Sequence, residues 1–389
     1  MARIALILMA KLPLRALNQD WAHADTRTPK GIVVLMDSAI ISSMQRRWRQ
    51  AWLICAFFSL VGCDGAGTGP GSPASAVRPF TIAGTTFPDT EGERHWLTFR
   101  DRLIAASDGE LPLRMLIYGQ LGSEDQLVSG LRRGRVQFAN LSAMAVSAVV
   151  PEMALLYAPF LFDDEAEADF VYDKLLTELY RELLAEKGLH LVSWYEIGFI
   201  DVYAKEPLLL PEQAAGRRFR VGSGPAARLF ATAIGADVIP LGFSDVIASL
   251  QTGLIEAGEN AVSLYARTGI ASEAPHLTVT DHSFGVSAIV ASKVWWDSLS
   301  ESQQTMVSEA WPAIDTTRVA VRSESRRDLQ DAAALGFVVH RLTPEQRDQW
   351  RSATSEVTEQ LIRKIGGRSR EVYQRIQAVR AMHHGPRPE

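Results

Sequence analysis

The chain has 389 residues, 47% hydrophobic and 22% charged, ordinary proportions for a globular protein with a real core. A formal net charge of −5 argues against non-specific binding to nucleic acid or to anionic membrane surfaces. Lys and Arg form no basic stripe, no zinc-finger spacing occurs, and the length suits two or three domains.

Both cysteines, Cys55 and Cys63, lie in one N-terminal segment. Arg46, Arg47 and Arg49 give a positive start. The apolar run Trp52 to Val61 is too short to span a bilayer comfortably. Leu60-Val61-Gly62-Cys63 resembles the lipobox of a bacterial lipoprotein signal over 44–62, which implies cleavage before Cys63 and acylation of its sulfur. An uncleaved anchor or a plain secretory signal are the alternatives. Asp64 resembles an inner-membrane retention signal, so the chain is expected in the periplasm, lipid-anchored to the inner membrane. Residues 1–43 precede a complete signal and read as a non-native upstream extension, with translation starting at Met44. Residues 63–79, rich in Gly, Pro, Ser and Ala, read as a flexible tether.

The folded part opens with a strand at Phe80 to Gly84. An amphipathic helix follows, with Trp96, Phe99, Leu103 and Ile104 on one face. Pro112 to Tyr118 reads as the second strand, Ser123 as the cap of a helix carrying Leu127 and Leu131, and Val136 to Leu141 as the third strand. This βαβαβ order predicts a parallel sheet covered by helices. Asp164 to Lys187 reads as one long acidic helix, and Leu189 to Phe199 as a returning strand.

A second α/β pattern follows, with strands at Asp201 to Ala204, Arg218 to Val221 and Val238 to Leu241. Gln251 to Asn260 reads as a helix end and a turn. Ser287 to Ala291 is a strand of the first lobe. Leu299 to Ala333 is helical with a break at Pro312, Phe337 to His340 is a last strand, and two helices close the chain. The expected organisation is α/β and bilobed: 80–199 with 286–325 as lobe I, 200–285 with 326–375 as lobe II, and 376–389 as a polar tail. A hinge and an interlobe cleft follow from it.

In Arg218 to Val221, alternation turns Phe219 and Val221 to the core and Arg220 to the other face. Pro225 opens a helix just beyond. A helix N-terminus attracts anions and a guanidinium fork matches a carboxylate, so this corner suits a carboxylate ligand; a structural salt bridge for Arg220 is the other reading. Asn260 is either a ligand contact or a turn-stabilising side chain. Trp194, Trp96 and Phe243 are candidate cleft walls, though each residue type is also common in cores.

Enzymatic signals are weak, since G-x-S-x-G, H-E-x-x-H and Walker A runs are all missing. Asp281-His282-Ser283 are adjacent and do not converge as a triad must. His383-His384 in the polar tail is inert or a weak metal binder. Gly222-x-Gly224-x-x-Ala227 mimics a dinucleotide fingerprint, but no acidic residue ends the next strand. No catalytic residue, metal or cofactor is expected.

Separated segments resemble, in order, the solute-binding proteins of tripartite ATP-independent periplasmic (TRAP) transporters, DctP type. They are YGQLGSE at 118–124, LRRGRV at 131–136, APFLF at 158–162, GRRFRV at 216–221, LQTGLI at 250–255, and Glu259-Asn260. The resemblance implies a bilobed periplasmic-binding-protein-like fold of the class II type. It also implies that the arginine at 220 clamps a substrate carboxylate, assisted by Asn260 beside Glu259. The protein would deliver its solute to small and large multi-helix membrane subunits. Where the family often has a second arginine this chain has Ile200, which points away from a C4-dicarboxylate. The expected ligand is a small organic acid with an apolar body, or another apolar solute. A ligand-sensing or interaction lipoprotein, or an enzyme on the same scaffold, are the alternatives.

Overall fold

The computed structural model describes residues 79–385. The upstream extension, the signal segment, Cys63 and the tether lie outside the described residues. Lobe I opens as β1 (Phe80–Ala83), α1 (Glu91–Ser107), β2 (Leu113–Leu116), α2 (Glu124–Arg132) and β3 (Phe138–Ser142). Thr90 caps α1 by accepting the Glu93 N–H. The Gln126 side chain reaches back to the Ser123 N–H at 2.9 Å to start α2. Trp96, Phe99 and Leu103 are buried, whereas Ile104 is 51% exposed. The expected four-residue stripe is thus narrower, because Ile104 lies 100° around the helix from Leu103. β1 pairs in parallel with both β2 and β3.

Next come α3 (Ala143–Val146) and a 3₁₀ segment, Pro151–Tyr157. The acidic stretch forms α4 (Glu165–Val171), a π turn at Tyr172–Leu176, and α5 (Thr177–Ala185). The single long helix read from the sequence is therefore interrupted by the π turn.

β4 (Leu189–Ala204) is one continuous strand where two were expected. Lobe II adds β5 (Arg218–Val221), α6 (Pro225–Ala233), β6 (Asp237–Pro240), α7 (Val246–Gln251), β7 (Ala257–Ala261) and α8 (Val262–Arg267). β7 replaces the predicted turn. β8 (His276–Ser292) is as long as β4, and their pairing runs from Leu189 with Ser292 to Ala204 with His276. α9 (Glu301–Ala310) and α10 (Ile314–Gln330) flank the expected break at Pro312. β9 (Val338–Arg341) precedes α11 (Pro344–Ala353), α12 (Val357–Ile365) and α13 (Ser369–His384). Three closing helices stand where two were predicted. The supposed polar tail is helical up to His384, with Ile376 fully buried.

The sheet order is β2-β1-β3-β8-β4-β7-β5-β6, with β9 on β8. β3 pairs with the second half of β8, and β7 with the second half of β4. The two long strands are therefore common to both lobes. Gly198 and Gly285 face each other midway, and Gly198 has φ +100°, a conformation glycine takes without strain. Beyond them β8 bulges, with residues 279–282 set against Asp201 alone.

Candidate functional site

The C-terminal ends of β5 and β7 carry the first two candidates. Arg220 pairs with Gly258, and Gly258 with Tyr203 of β4. Directly paired side chains share a face of the sheet, so Arg220 and Tyr203 flank a residue with no side chain. A Cβ at Gly258 would run into Tyr203 Oη. Two residues on, Asn260 lies on the same face, opposite Asp201.

Arg220 is 8% exposed. Its Nε and Nη2 donate to the Leu241 carbonyl at 3.1 and 3.0 Å. Among the described residues it makes no ion pair, so the reading of Arg220 as half of an internal salt bridge is set aside. The guanidinium carbon lies 5.8 Å from the centre of the Phe243 ring, within cation–π range. Phe243 in turn meets Phe87, which follows β1, at 5.2 Å between centroids. Asn260 Oδ1 accepts the Ala261 N–H at 2.9 Å, while Asn260 Nδ2 and Tyr203 Oη are buried with no partner among the described residues.

Lobe I meets this corner through the β3–α3 turn. Met144 Sδ would be 3.1 Å from a Cβ at Gly222, and Met144 Cγ 2.6 Å from one at Gly224. A side chain at Gly224 would force Met144 to shift, and one at Gly222 would press on its sulfur. Ser142 donates through N and Oγ to Glu124, each at 2.7 Å. Burial raises the Glu124 carboxyl above its usual range, and the Ser142 bonds and the Arg220 charge pull it back. The structure thus brings together Arg220, Asn260 and Phe243, and adds Tyr203, Phe87, Met144 and Glu124.

Four candidates lie elsewhere. Glu259 points to the opposite face of β7, where Oε2 meets His282 Nε2 at 3.0 Å. His282 Nδ1 meets Thr280 Oγ1 at 2.8 Å, and the ring stacks on Phe230 at 3.9 Å. Glu259 is therefore an internal partner and no cleft wall. Trp194 donates to Thr177 Oγ1 at 3.1 Å, packs edge-on against Tyr172 and Tyr180, and with Glu196, Phe284 and Arg318 lines a cavity that Arg220 does not reach. Ile200 is buried in the core, near Phe284 and Ala261. The Trp96 ring is buried against Phe99, Phe138 and Trp311, with only its indole nitrogen near the end of β1.

Tyr203 carried a sequence signal in hindsight: it alternates with Val202 and Ala204. Glu124 closes the YGQLGSE motif. Met144 carried none. His384, far from being a free tail, meets the buried Glu167 at 2.7 Å beside Arg380. That cluster already holds a cation, the Arg380 guanidinium.

Residues 86–364 match the family model described as bacterial extracellular solute-binding protein, family 7. The ectoine-binding periplasmic protein TeaA of Halomonas elongata is 28% identical over 67% of this chain and 78% of its own. The 2,3-diketo-L-gulonate-binding periplasmic protein YiaO of Escherichia coli is 28% identical over 62% of this chain and 74% of its own. The sugar acid binding protein DctPAm of Advenella mimigardefordensis, solved with galactonate, superposes with a TM-score of 0.73. It is 24% identical, over 78% of this chain and 98% of that one.

A bilobed α/β fold, with Arg220 and Asn260 near the ends of β5 and β7, defines the class, a receptor that binds a small solute between two lobes. This chain belongs to the bacterial extracellular solute-binding proteins of family 7, the solute receptors of TRAP transporters. Members of the family are periplasmic receptors and not enzymes. Among the described residues no helix is long and apolar enough to cross a membrane.

Proposed function

We propose that this receptor binds a small carboxylate between lobe I (80–199 and 286–325) and lobe II (200–285 and 326 onward), except that α13, expected with lobe II up to residue 375, packs on lobe I, where Val372 and Ile376 join the core of Leu176 and Leu183. Arg220 clamps the carboxylate as a fork, Asn260 Nδ2 donates to it, and Phe243 with Phe87 walls the adjoining body. The observation that carries this reading is a buried guanidinium that makes no ion pair among the described residues, next to a buried amide nitrogen with no acceptor among them. Unpaired buried cations are rare because desolvation costs several kcal/mol (~2 to 5 as an order of magnitude), and an anionic guest offsets that cost. Lobe closure follows when the guest contacts both lobes, since a ligand shifts a conformational equilibrium only by its differential affinity.

The closed form then docks on small and large multi-helix membrane subunits. The lipid on Cys63 keeps the receptor at the periplasmic face of the inner membrane. Native mass spectrometry of the purified protein identifies the co-purifying solute. Calorimetry with Arg220→Ala then tests the clamp, with an expected loss of at least about tenfold in affinity. Equal affinity in the variant sinks the proposal.

A further inference from the structure

The start of β3 lies at the far end of that strand from the Met144 turn and carries a different chemistry. β1 and β4 also begin there and β8 ends there: Gln137 N donates to the Thr81 carbonyl at 3.0 Å, Ser292 N to the Gln137 carbonyl at 2.8 Å, and Leu189 pairs with Ser292. Arg132, Arg133 and Arg135, all exposed, lead from α2 into β3. Arg132 Nε donates to the Lys187 carbonyl at 3.1 Å, and Lys293 N to the Gly188 carbonyl at 3.0 Å, which sets Lys187 and Lys293 beside them. Asp297 answers Lys293 and Glu178 answers Arg181, whereas Arg132, Arg133, Arg135 and Lys187 make no ion pair among the described residues. Glu182 and Glu186, in and just after α5, act on Arg368 instead. Asp108 and Glu110 precede β2, on the other side of β1 from β3. Val294 stands 70% exposed next to Lys293, and the half-buried Trp295 stacks on Phe80 at 4.7 Å between centroids.

Phe80 opens β1, so the chain coming from Cys63 joins the fold at this same end. Only sixteen residues, 64–79, separate the two, a reach of at most about 55 Å when fully extended. Resting on the reading of Cys63 as the lipid-bearing residue, we propose that this end of lobe I seats on the anionic phospholipid surface to which the lipid holds it. Arg132, Arg133, Arg135 and Lys187 meet the headgroup phosphates. Val294 and Trp295 reach the layer between headgroups and acyl chains, where indole rings collect. Each cation near such a surface favours contact about fivefold. The net charge of −5 on the whole chain sharpens the orientation, because the same surface repels the rest of the molecule. A lipid by itself leaves a receptor free to turn on its tether, whereas a lipid and a basic, partly apolar face together fix which side meets the bilayer.

The test is amine footprinting of the purified protein with vesicles, read by mass spectrometry against the exposed Lys364 of α12. On phosphatidylglycerol–phosphatidylethanolamine vesicles at low salt, Lys187 should be acetylated at least about fivefold more slowly, relative to Lys364, than on phosphatidylcholine vesicles. Half-molar salt shortens the screening length to about 4 Å and should abolish the protection. Arg133→Glu with Arg135→Glu should abolish it too, while Arg133→Lys with Arg135→Lys, which keeps both charges, should retain it. Equal labelling of Lys187 on the two kinds of vesicle, or protection that survives both salt and the reversed charges, overturns the seat. Intact mass of the same preparation reads the anchor separately. An acylated protein that floats with both kinds of vesicle and shows no protection keeps the anchor and loses the seat. An unacylated protein protected only on phosphatidylglycerol keeps the seat and loses the anchor, and an unacylated protein that stays with neither vesicle loses both.

Discussion

Replacing Arg220 by methionine separates binding from folding. The side chain keeps its length but loses charge and fork. In the ligand-free protein Arg220 contributes two hydrogen bonds to one acceptor, the Leu241 carbonyl, worth about 1.5–3 kcal/mol for a charged donor. Against this stands the desolvation of a guanidinium that is 8% exposed and makes no ion pair among the described residues, a cost of several kcal/mol. The two terms nearly cancel, so the ligand-free variant should melt within about 4 °C of the parent. In the complex the balance is one-sided. Losing one partner of a buried charge pair costs about 2–5 kcal/mol, which is roughly a 30- to 4000-fold loss of affinity. Scanning fluorimetry with and without the co-purifying acid, followed by calorimetry, measures both quantities. A variant that melts more than about 10 °C lower on its own, yet keeps its affinity, would show that Arg220 is a structural residue.

Three further outcomes are expected. Gly224→Ala places a methyl group 2.6 Å from Met144 Cγ across the cleft. It should weaken ligand binding several-fold by propping the lobes apart while leaving the ligand-free melting point within about 2 °C; small-angle scattering showing full closure on ligand addition would contradict this. Asp201, whose Oδ1 accepts the Asp281 N–H at 2.9 Å, is pushed well above the usual carboxylate range by burial and by the Asp281 charge. The native state then holds that proton more tightly than the unfolded chain, so stability falls as pH rises from about 4 through the raised value. Asp201→Asn keeps the acceptor, and should flatten that fall and raise the melting point at pH 8; parallel melting curves from pH 4 to 8 would count against it. Ile200→Arg places a charge in the core beneath the hinge, where Ile200 is 4% exposed. It should destabilise the fold by about 3–5 kcal/mol, and a stable variant with a new preference for dicarboxylates would show that Ile200 does face the ligand.

The parts of the fold legible in the sequence were those governed by local rules. The Ser123 helix start, the βαβ order of lobe I and the face of Arg220 follow from capping and alternation. β7 was not legible because Ala257-Gly-Glu-Asn-Ala261 has poor strand propensity; it is a strand because β4 and β5 pair with it on both sides. The lengths of β4 and β8 were hidden by register shifts at Leu191/Ser193, Glu196/Gly198 and Ile200/Val202, each of which breaks the period-two pattern. Of the candidate site, the face of Arg220 could be read from strand alternation, whereas Asn260 was marked by the family resemblance, its strand having been read as a turn. Ile200 lies in the core, and the sequence could not show it because an apolar residue at a lobe crossing looks the same whether it faces a void or a core. Glu259 misled through its neighbour: adjacent strand residues point to opposite faces, so Glu259 and Asn260 cannot both line one cleft.

Because β4 and β8 belong to both halves of the molecule, neither half can be excised as an autonomous piece. A truncated gene for either lobe would end in a ribbon stripped of its pairing partners and prone to aggregate. Melting of the intact protein should therefore register as one cooperative event, and any split reporter or permuted terminus has to be cut in peripheral loops, away from the two through-going ribbons.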